Sequence, residues 1–202
     1  MIKKIGLFGG SFNPPHFGHL HLAETVHDVL ELDEIRLIPA RKPPHKSDRA
    51  YAPAQDRFAM CQLFSELRPW FVADDFELRQ EQNHYSYTYY TVKYFKKFFP
   101  DNALFLLIGS DMLLSFTSWF RWQEILQSVS LACIARKDGE TEKLAVQAEF
   151  LRQFGEIFLI NTQSFAVSST KIREMAEKNQ NYSCYLPEKI VQYIKDKNLY
   201  QN

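Results

Sequence analysis

Cysteine is scarce in this chain: 3 in 202 residues, at Cys61, Cys133 and Cys184. The number is odd and the spacing wide, which excludes a disulfide framework and a cysteine-based metal motif. Each reads as a buried thiol in a reducing compartment. Net charge is missing too, since 24 Lys plus Arg balance 24 Asp plus Glu. That balance argues against non-specific nucleic-acid binding as the main task, although a local basic cleft is compatible with it. Long apolar runs are absent. The run after Lys3 and Lys4 stops at Gly9 and Gly10, too short for a signal peptide, and no later stretch has the length of a membrane span. Internal repeats, low-complexity tracts and a convincing linker are lacking as well. The expectation is a cytoplasmic protein without a membrane or nucleic-acid partner.

What is present is an ordinary globular composition with 46% apolar and 15% aromatic residues, enough for one sizeable α/β domain. Strand-like and helix-like segments alternate. Ile5 to Phe8, Ile35 to Ile38, Trp70 to Ala73, Ala103 to Ile108, Leu131 to Ala135 and Ile157 to Ile160 read as strands. Helical spacing is carried by Leu20, Ala23, Val26 and Leu30, by Met60 to Leu67, and by Thr88 to Phe99. Ser168 to Lys178 and Pro187 to Asn198 read as closing helices. The pattern predicts an α/β fold, Rossmann-like and doubly wound, with a mostly parallel sheet covered by helices on both faces. One domain over residues 1–202 is expected, with 168–202 a C-terminal helical part of it. Ligands of such sheets bind beyond the carboxyl ends of the strands, so Gly9-Gly10, the Pro43 loop, Gly109-Ser110-Asp111 and Arg136 should share one rim.

The densest signal is Gly9-Gly10-Ser11-Phe12-Asn13-Pro14-Pro15-His16-Phe17-Gly18-His19, between the first strand and the first helix. A glycine-rich strand-to-helix turn offers backbone N–H groups and a positive helix end to phosphate. Gly9, Gly10 and Gly18 permit close backbone approach. Pro14 and Pro15 stiffen the turn. His16 and His19 read as caps, as exposed helix residues or as phosphate donors. Zinc has little support, because no Cys or third His stands at a matching spacing nearby. Near the other end, Ser168-Ser169-Thr170-Lys171-Ile172-Arg173 reads as a capped helix start whose hydroxyls and guanidinium also suit a polyanion.

Gly10-x-Phe12-x-Pro14-x-His16-x-Gly18-His19 resembles the G-x-F-x-P-x-H-x-G-H motif of the nucleotidyltransferase superfamily. Val167 to Arg173 resembles its second motif, I-S-S-T-x-I-R. Three further stretches are similar to the bacterial nicotinate-nucleotide adenylyltransferase family: Pro43-Pro44-His45-Lys46, Ser86-Tyr87-Thr88, and Gly109-Ser110-Asp111-Met112-Leu113-Leu114 with Trp119. The chain departs from the family where an Arg-Pro-Gly turn is common after the fifth strand. It carries Arg136-Lys137-Asp138-Gly139, which keeps the arginine in a longer turn.

The resemblance implies transfer of an adenylyl group from ATP to nicotinate mononucleotide, giving deamido-NAD and pyrophosphate in NAD biosynthesis. It implies His16 and His19 as catalytic donors. For ATP it implies Gly9, Gly10, Ser11, Phe12, Gly18, Gly109, Asp111, Arg136, Ser168, Ser169, Thr170 and Arg173. For the mononucleotide it implies Pro44, His45, Lys46, Ser86, Tyr87, Thr88, Trp119 and Phe120, while Trp122 reads as core. Mg²⁺ would arrive with ATP as substrate, with no dedicated protein metal site. The acceptor's phosphate is largely dianionic near neutral pH, so no general base is required. Nicotinamide mononucleotide or phosphopantetheine as acceptor, a nucleotide-binding regulator without transfer activity, and a nucleic-acid binder are the competing readings. A homo-oligomer is left open.

Overall fold

The computed structural model describes residues 2–41, 51–80, 86–136, 141–162 and 167–201. Six strands among these residues lie in one sheet: β1 (Lys4–Gly10), β2 (Glu34–Pro39), β3 (Phe71–Ala73), β4 (Ala103–Gly109), β5 (Ser130–Arg136) and β6 (Ile157–Thr162). All five pairings are parallel, in the order β3-β2-β1-β4-β5-β6. Among the described residues, eight α-helices connect or follow them: α1 (Phe17–Leu30), α2 (Ala54–Ser65), α3 (Thr88–Phe98), α4 (Ser110–Leu114), α5 (Trp122–Leu126), α6 (Thr141–Leu151), α7 (Ser169–Glu177) and α8 (Glu188–Asp196).

Strand periodicity sorts the side chains into two cores. Leu104, Leu106 and Ile108 of β4 face one core with Leu131 and Cys133 of β5, while Phe105 and Leu107 face the other with Ala132 and Ile134. The first core is closed by Val92 and Phe95 of α3, Ile125 of α5 and Leu144, Ala148 and Leu151 of α6. The second is closed by Leu20, Ala23 and Val26 of α1, Met60 and Phe64 of α2, Ile172 of α7 and Ile190 and Ile194 of α8. Both faces of the sheet are therefore covered, which is the condition for an all-parallel sheet and for its nearly continuous apolar strands.

Strand order reverses between β1 and β4. The β1–β4 pairing ends at Leu7 with Leu106, although β1 runs on to Gly10 and β4 to Gly109. On its other side β1 stays paired to its last residue, Gly10 with Pro39 of β2. The two central strands thus part at their carboxyl ends, and a crevice opens at the switch point where such sheets take ligands.

The sequence places α1 near Leu20, whereas it begins at Phe17, because His16 is held extended (φ −148°, ψ 170°) as its N-cap. Helix α2 starts at Ala54 rather than Met60, behind Pro53. The strand-to-helix turn expected at Gly109-Ser110-Asp111 is present as the start of α4, whereas α5 and α6 have no counterpart among the sequence expectations. Cys61 and Cys133 are buried as expected, but Cys184 is exposed. Among the described residues, no helix is long and apolar enough to cross a membrane.

Candidate active site

The turn leaving β1 is shaped by two glycines with different tasks. A Cβ on Gly10 would meet the Phe12 ring at 3.2 Å, so the ring needs a glycine there. A Cβ on Gly9 would meet no atom within 4 Å, so the protein's own packing does not demand that glycine. Phe12 adopts φ 45°, a left-handed conformation that costs a bulky residue about 1–3 kcal/mol. Packing holds it there: its side chain is 1% exposed, with Phe8 edge-on at 5.3 Å and His19 at 5.1 Å.

His16 and His19 are brought together at the start of α1. The His16 backbone N–H donates to His19 Nδ1 at 3.1 Å, and the two rings lie 3.8 Å apart, tilted by 35°. Nδ1 of His19 is thereby an acceptor, so the neutral ring carries its proton on Nε2 and donates from that atom. The positive end of α1 lies at the same place. Gly18 makes the approach possible, since a Cβ there would stand 3.0 Å from the His16 ring and 3.0 Å from Val167.

The two end motifs, far apart in sequence, meet. Ser169 Oγ donates to the Pro14 carbonyl at 2.9 Å, and Arg173 Nη1 donates to the Asn13 carbonyl at 2.9 Å. Arg173 Nη2 also reaches Thr170 Oγ1 at 3.2 Å. Ser168 caps α7, its Oγ accepting from the Lys171 N–H at 3.2 Å. Ser169 and Arg173, expected on phosphate, here also hold the turn itself. The Ser11 carbonyl accepts from Arg57 Nη1 at 2.8 Å. Asn13 Oδ1 accepts from the Ala52 N–H at 3.0 Å and from the Tyr200 hydroxyl at 2.8 Å. With the carbonyls of Ser11, Asn13 and Pro14 satisfied by protein donors, the turn is anchored at three points.

At the end of β4, Gly109 is the extended N-cap of α4, Ser110 Oγ donates to the Ile134 carbonyl at 2.9 Å, and Asp111 is exposed in the helix's first turn. Arg136 closes β5; its side chain, like Pro44, His45 and Lys46, lies outside the described residues.

Thr88 opens α3 behind an extended Tyr87. A cavity of about 270 Å³ lies beside it, lined by Phe76, Glu77, Gln80, Ser86, Tyr87, Tyr90 and Thr91, slightly below the usual size of a small-molecule pocket. The exposed rings of Tyr87 and Phe120 stand 5.1 Å apart. Trp119 is partly buried against Phe116 at 5.0 Å, and Trp122 packs on Phe154 at 4.9 Å, as a core residue should. Ser86 Oγ accepts the Arg41 N–H at 3.0 Å, so its hydroxyl also ties two loops together. Glu77 is buried at 8% exposure, and Thr91 Oγ1 donates to its Oε1 at 2.7 Å. Burial raises the Glu77 pKa, opposed by hydrogen bonds from Thr91 and Ser86 and by the Arg57 charge.

Arg57, Glu77 and Tyr200 are not among the residues the sequence marks, and Arg41, in the basic loop, and Asn13, in the turn, carry no assigned role there. One sign was available: Arg57, Met60, Cys61 and Phe64 fall at helical spacing on the buried face of α2, where a charge stands out. Among the described residues, no group of three or more His, Cys, Asp or Glu side chains could hold a metal ion.

The model of the cytidylyltransferase-like family matches residues 7–175. The "Probable nicotinate-nucleotide adenylyltransferase" of Aeromonas salmonicida is 36% identical over 215 residues, covering 100% of this chain and 99% of that relative. The nicotinate-nucleotide adenylyltransferase of Bacillus subtilis is 32% identical over 201 residues, covering 100% of both. The fold is shared with Plasmodium falciparum nicotinic acid mononucleotide adenylyltransferase complexed with NaAD, at TM-score 0.79 and 20% identity over 98% of this chain and 97% of that one. The chain therefore belongs to the cytidylyltransferase-like family, among the nicotinate-nucleotide adenylyltransferases.

Proposed function

We propose that this protein joins nicotinate mononucleotide to ATP, releasing pyrophosphate and deamido-NAD. The observation that carries the proposal is the meeting of the two end motifs at the opening between β1 and β4. There the His16–His19 pair, the positive end of α1 and Arg173 converge on one turn. Such a set of donors suits a triphosphate.

In the reaction, a phosphate oxygen of the mononucleotide bonds to the α-phosphorus of ATP. The bond from that phosphorus to the bridging oxygen of the β-phosphate breaks, and the electron pair leaves with pyrophosphate. The nucleophile is already anionic, so the protein has to align reactants and stabilise charge. The His19 Nε2–H, oriented by the bond at Nδ1, donates to phosphate oxygen as charge develops, and His16 stacks beside it. Gly9, free of packing demands, leaves room for a phosphate against the β1 turn. ATP enters as its Mg²⁺ complex, so that the cation arrives with the substrate.

The cavity beside Thr88 supports a pyridine site. Backbone N–H groups at the start of α3 suit the nicotinate carboxylate, whereas an amide presents donors of its own. Tyr87 and Phe120 offer exposed rings at its edge. Adenine is assigned to the Gly109–Asp111 turn, with Asp111 near the ribose hydroxyls. The test is His19→Ala. Pyrophosphate release with ATP and nicotinate mononucleotide should fall by about 10²-fold or more, with thermal unfolding little changed. Wild-type turnover in that variant would remove His19 from the chemistry.

A further inference from the structure

Arg57 stands where α2 calls for an apolar side chain. The buried positions of that helix are Arg57, Met60, Cys61 and Phe64, and Arg57 is 2% exposed. A buried guanidinium is costly unless its donors are satisfied. These donors go to backbone carbonyls from three separate segments. Nη1 donates to Ser11 at 2.8 Å, Nε to Ala52 at 3.2 Å and Nη2 to Arg41 at 3.2 Å. Ser11 belongs to the phosphate turn, Arg41 follows β2 and Ala52 leads into α2.

Arg41 carries the connection further. Its N–H donates to Ser86 Oγ at 3.0 Å, and its guanidinium donates to the carbonyls of Leu78 and Gln80. Arg57 thus lies between the turn assigned to triphosphate and the wall of the cavity assigned to the pyridine ring. Holding α2 on the sheet does not require a charge, since Met60, Cys61 and Phe64 already bury there. What a planar fork with five N–H groups adds is simultaneous control of three carbonyls that point from different directions. A lysine ammonium reaches the same depth with a single donor atom.

We propose that Arg57 is a positioning residue whose guanidinium fork sets the path of the Gly9–Ser11 backbone against the Arg41 end of β2, so that the turn's N–H groups meet the triphosphate aligned. The proposal rests on the adenylyl-transfer reading given above. The Ser11 carbonyl, drawn toward the guanidinium, turns the N–H of the same planar peptide, that of Phe12, the opposite way. The residue acts through the turn and does not touch the reacting atoms.

The test uses Arg57→Lys, which keeps the charge and loses the fork, and Arg57→Met, which loses both. Steady-state kinetics are run below each variant's melting temperature, with hydrogen exchange read segment by segment. The expected result is a kcat/KM for ATP lowered by about tenfold or more in both variants, the size expected for lost charge-assisted hydrogen bonds. Faster exchange should appear in residues 9–12, with β4 unchanged. A folded Arg57→Lys with wild-type kcat/KM for ATP overturns the proposal. So does faster exchange throughout the protein or global unfolding of both variants, since either assigns Arg57 to the fold alone. If the wild type releases no pyrophosphate from ATP and nicotinate mononucleotide, the functional reading fails instead, and the exchange pattern still judges whether Arg57 holds the turn.

Discussion

Replacing Gly18 with alanine adds one carbon at a position where the geometry sets its effect. The residue is the second of α1, and its φ is not in the left-handed region, so alanine fits the backbone. Exchanging glycine for alanine in a helix favours the fold by about 0.5–1 kcal/mol. The added Cβ, however, would lie 3.0 Å from both Cε1 and Nδ1 of His16 and 3.0 Å from Val167 Cγ1. Ordinary carbon contact begins near 3.5 Å, so the His16 ring or Val167 must retreat by about half an ångström. His16 has little space for that, being 6% exposed and stacked 3.8 Å from His19. Overpacking of this kind costs about 1–3 kcal/mol, which the helix gain partly offsets, leaving a net loss of up to about 2.5 kcal/mol. Displacing a residue that the proposal places beside the reacting phosphates is a different matter, since a shift of about 1 Å can cost about 10²-fold in rate. Half that shift predicts a kcat about tenfold lower. Pyrophosphate release under saturating substrates, measured beside urea unfolding, separates the two effects. A Gly18→Ala protein with unchanged kcat would refute the claim that His16 must hold its place.

Further expectations concern the residues around the turn. Glu77 has its carboxyl pKa raised by burial, so the folded state binds its proton more tightly than the unfolded chain, whose value is about 4.3. Stability then falls as pH rises from that value through the raised one. Glu77→Gln keeps an acceptor for Thr91 and should gain stability relative to wild type over that window; parallel pH curves in urea unfolding would count against it. Tyr200→Phe removes the hydroxyl donated to Asn13 Oδ1 but leaves the Ala52 N–H on that oxygen, so a loss of about 1 kcal/mol is expected. Equal urea midpoints and m-values for the two proteins would show that the C-terminal tether contributes nothing to stability.

Much of the sheet is legible in the chain because central parallel strands are short apolar runs ended by glycine or proline, as in Ala103 to Gly109 and Ile35 to Pro39. The turn with His16 and His19 is legible because its residues are contiguous. Helix α6 escaped because Glu142, Lys143, Gln147 and Glu149 dilute an apolar face that only Leu144, Ala148 and Leu151 carry. The supports of the site escaped for another reason. Arg57 to Ser11, Tyr200 to Asn13 and Ser169 to Pro14 are bonds across 46, 187 and 155 positions, and no local pattern encodes them. Ser86 shows the limit from the other side: the resemblance points to it as a substrate residue, while the structure also gives its hydroxyl the Arg41 N–H to hold.

The most direct measurement is turnover with nicotinate and nicotinamide mononucleotides side by side, each with MgATP and read as pyrophosphate. A carboxylate at the N-terminus of α3 should favour the nicotinate form by about tenfold or more in kcat/KM. Equal turnover of the two, or preference for the amide, would contradict the account.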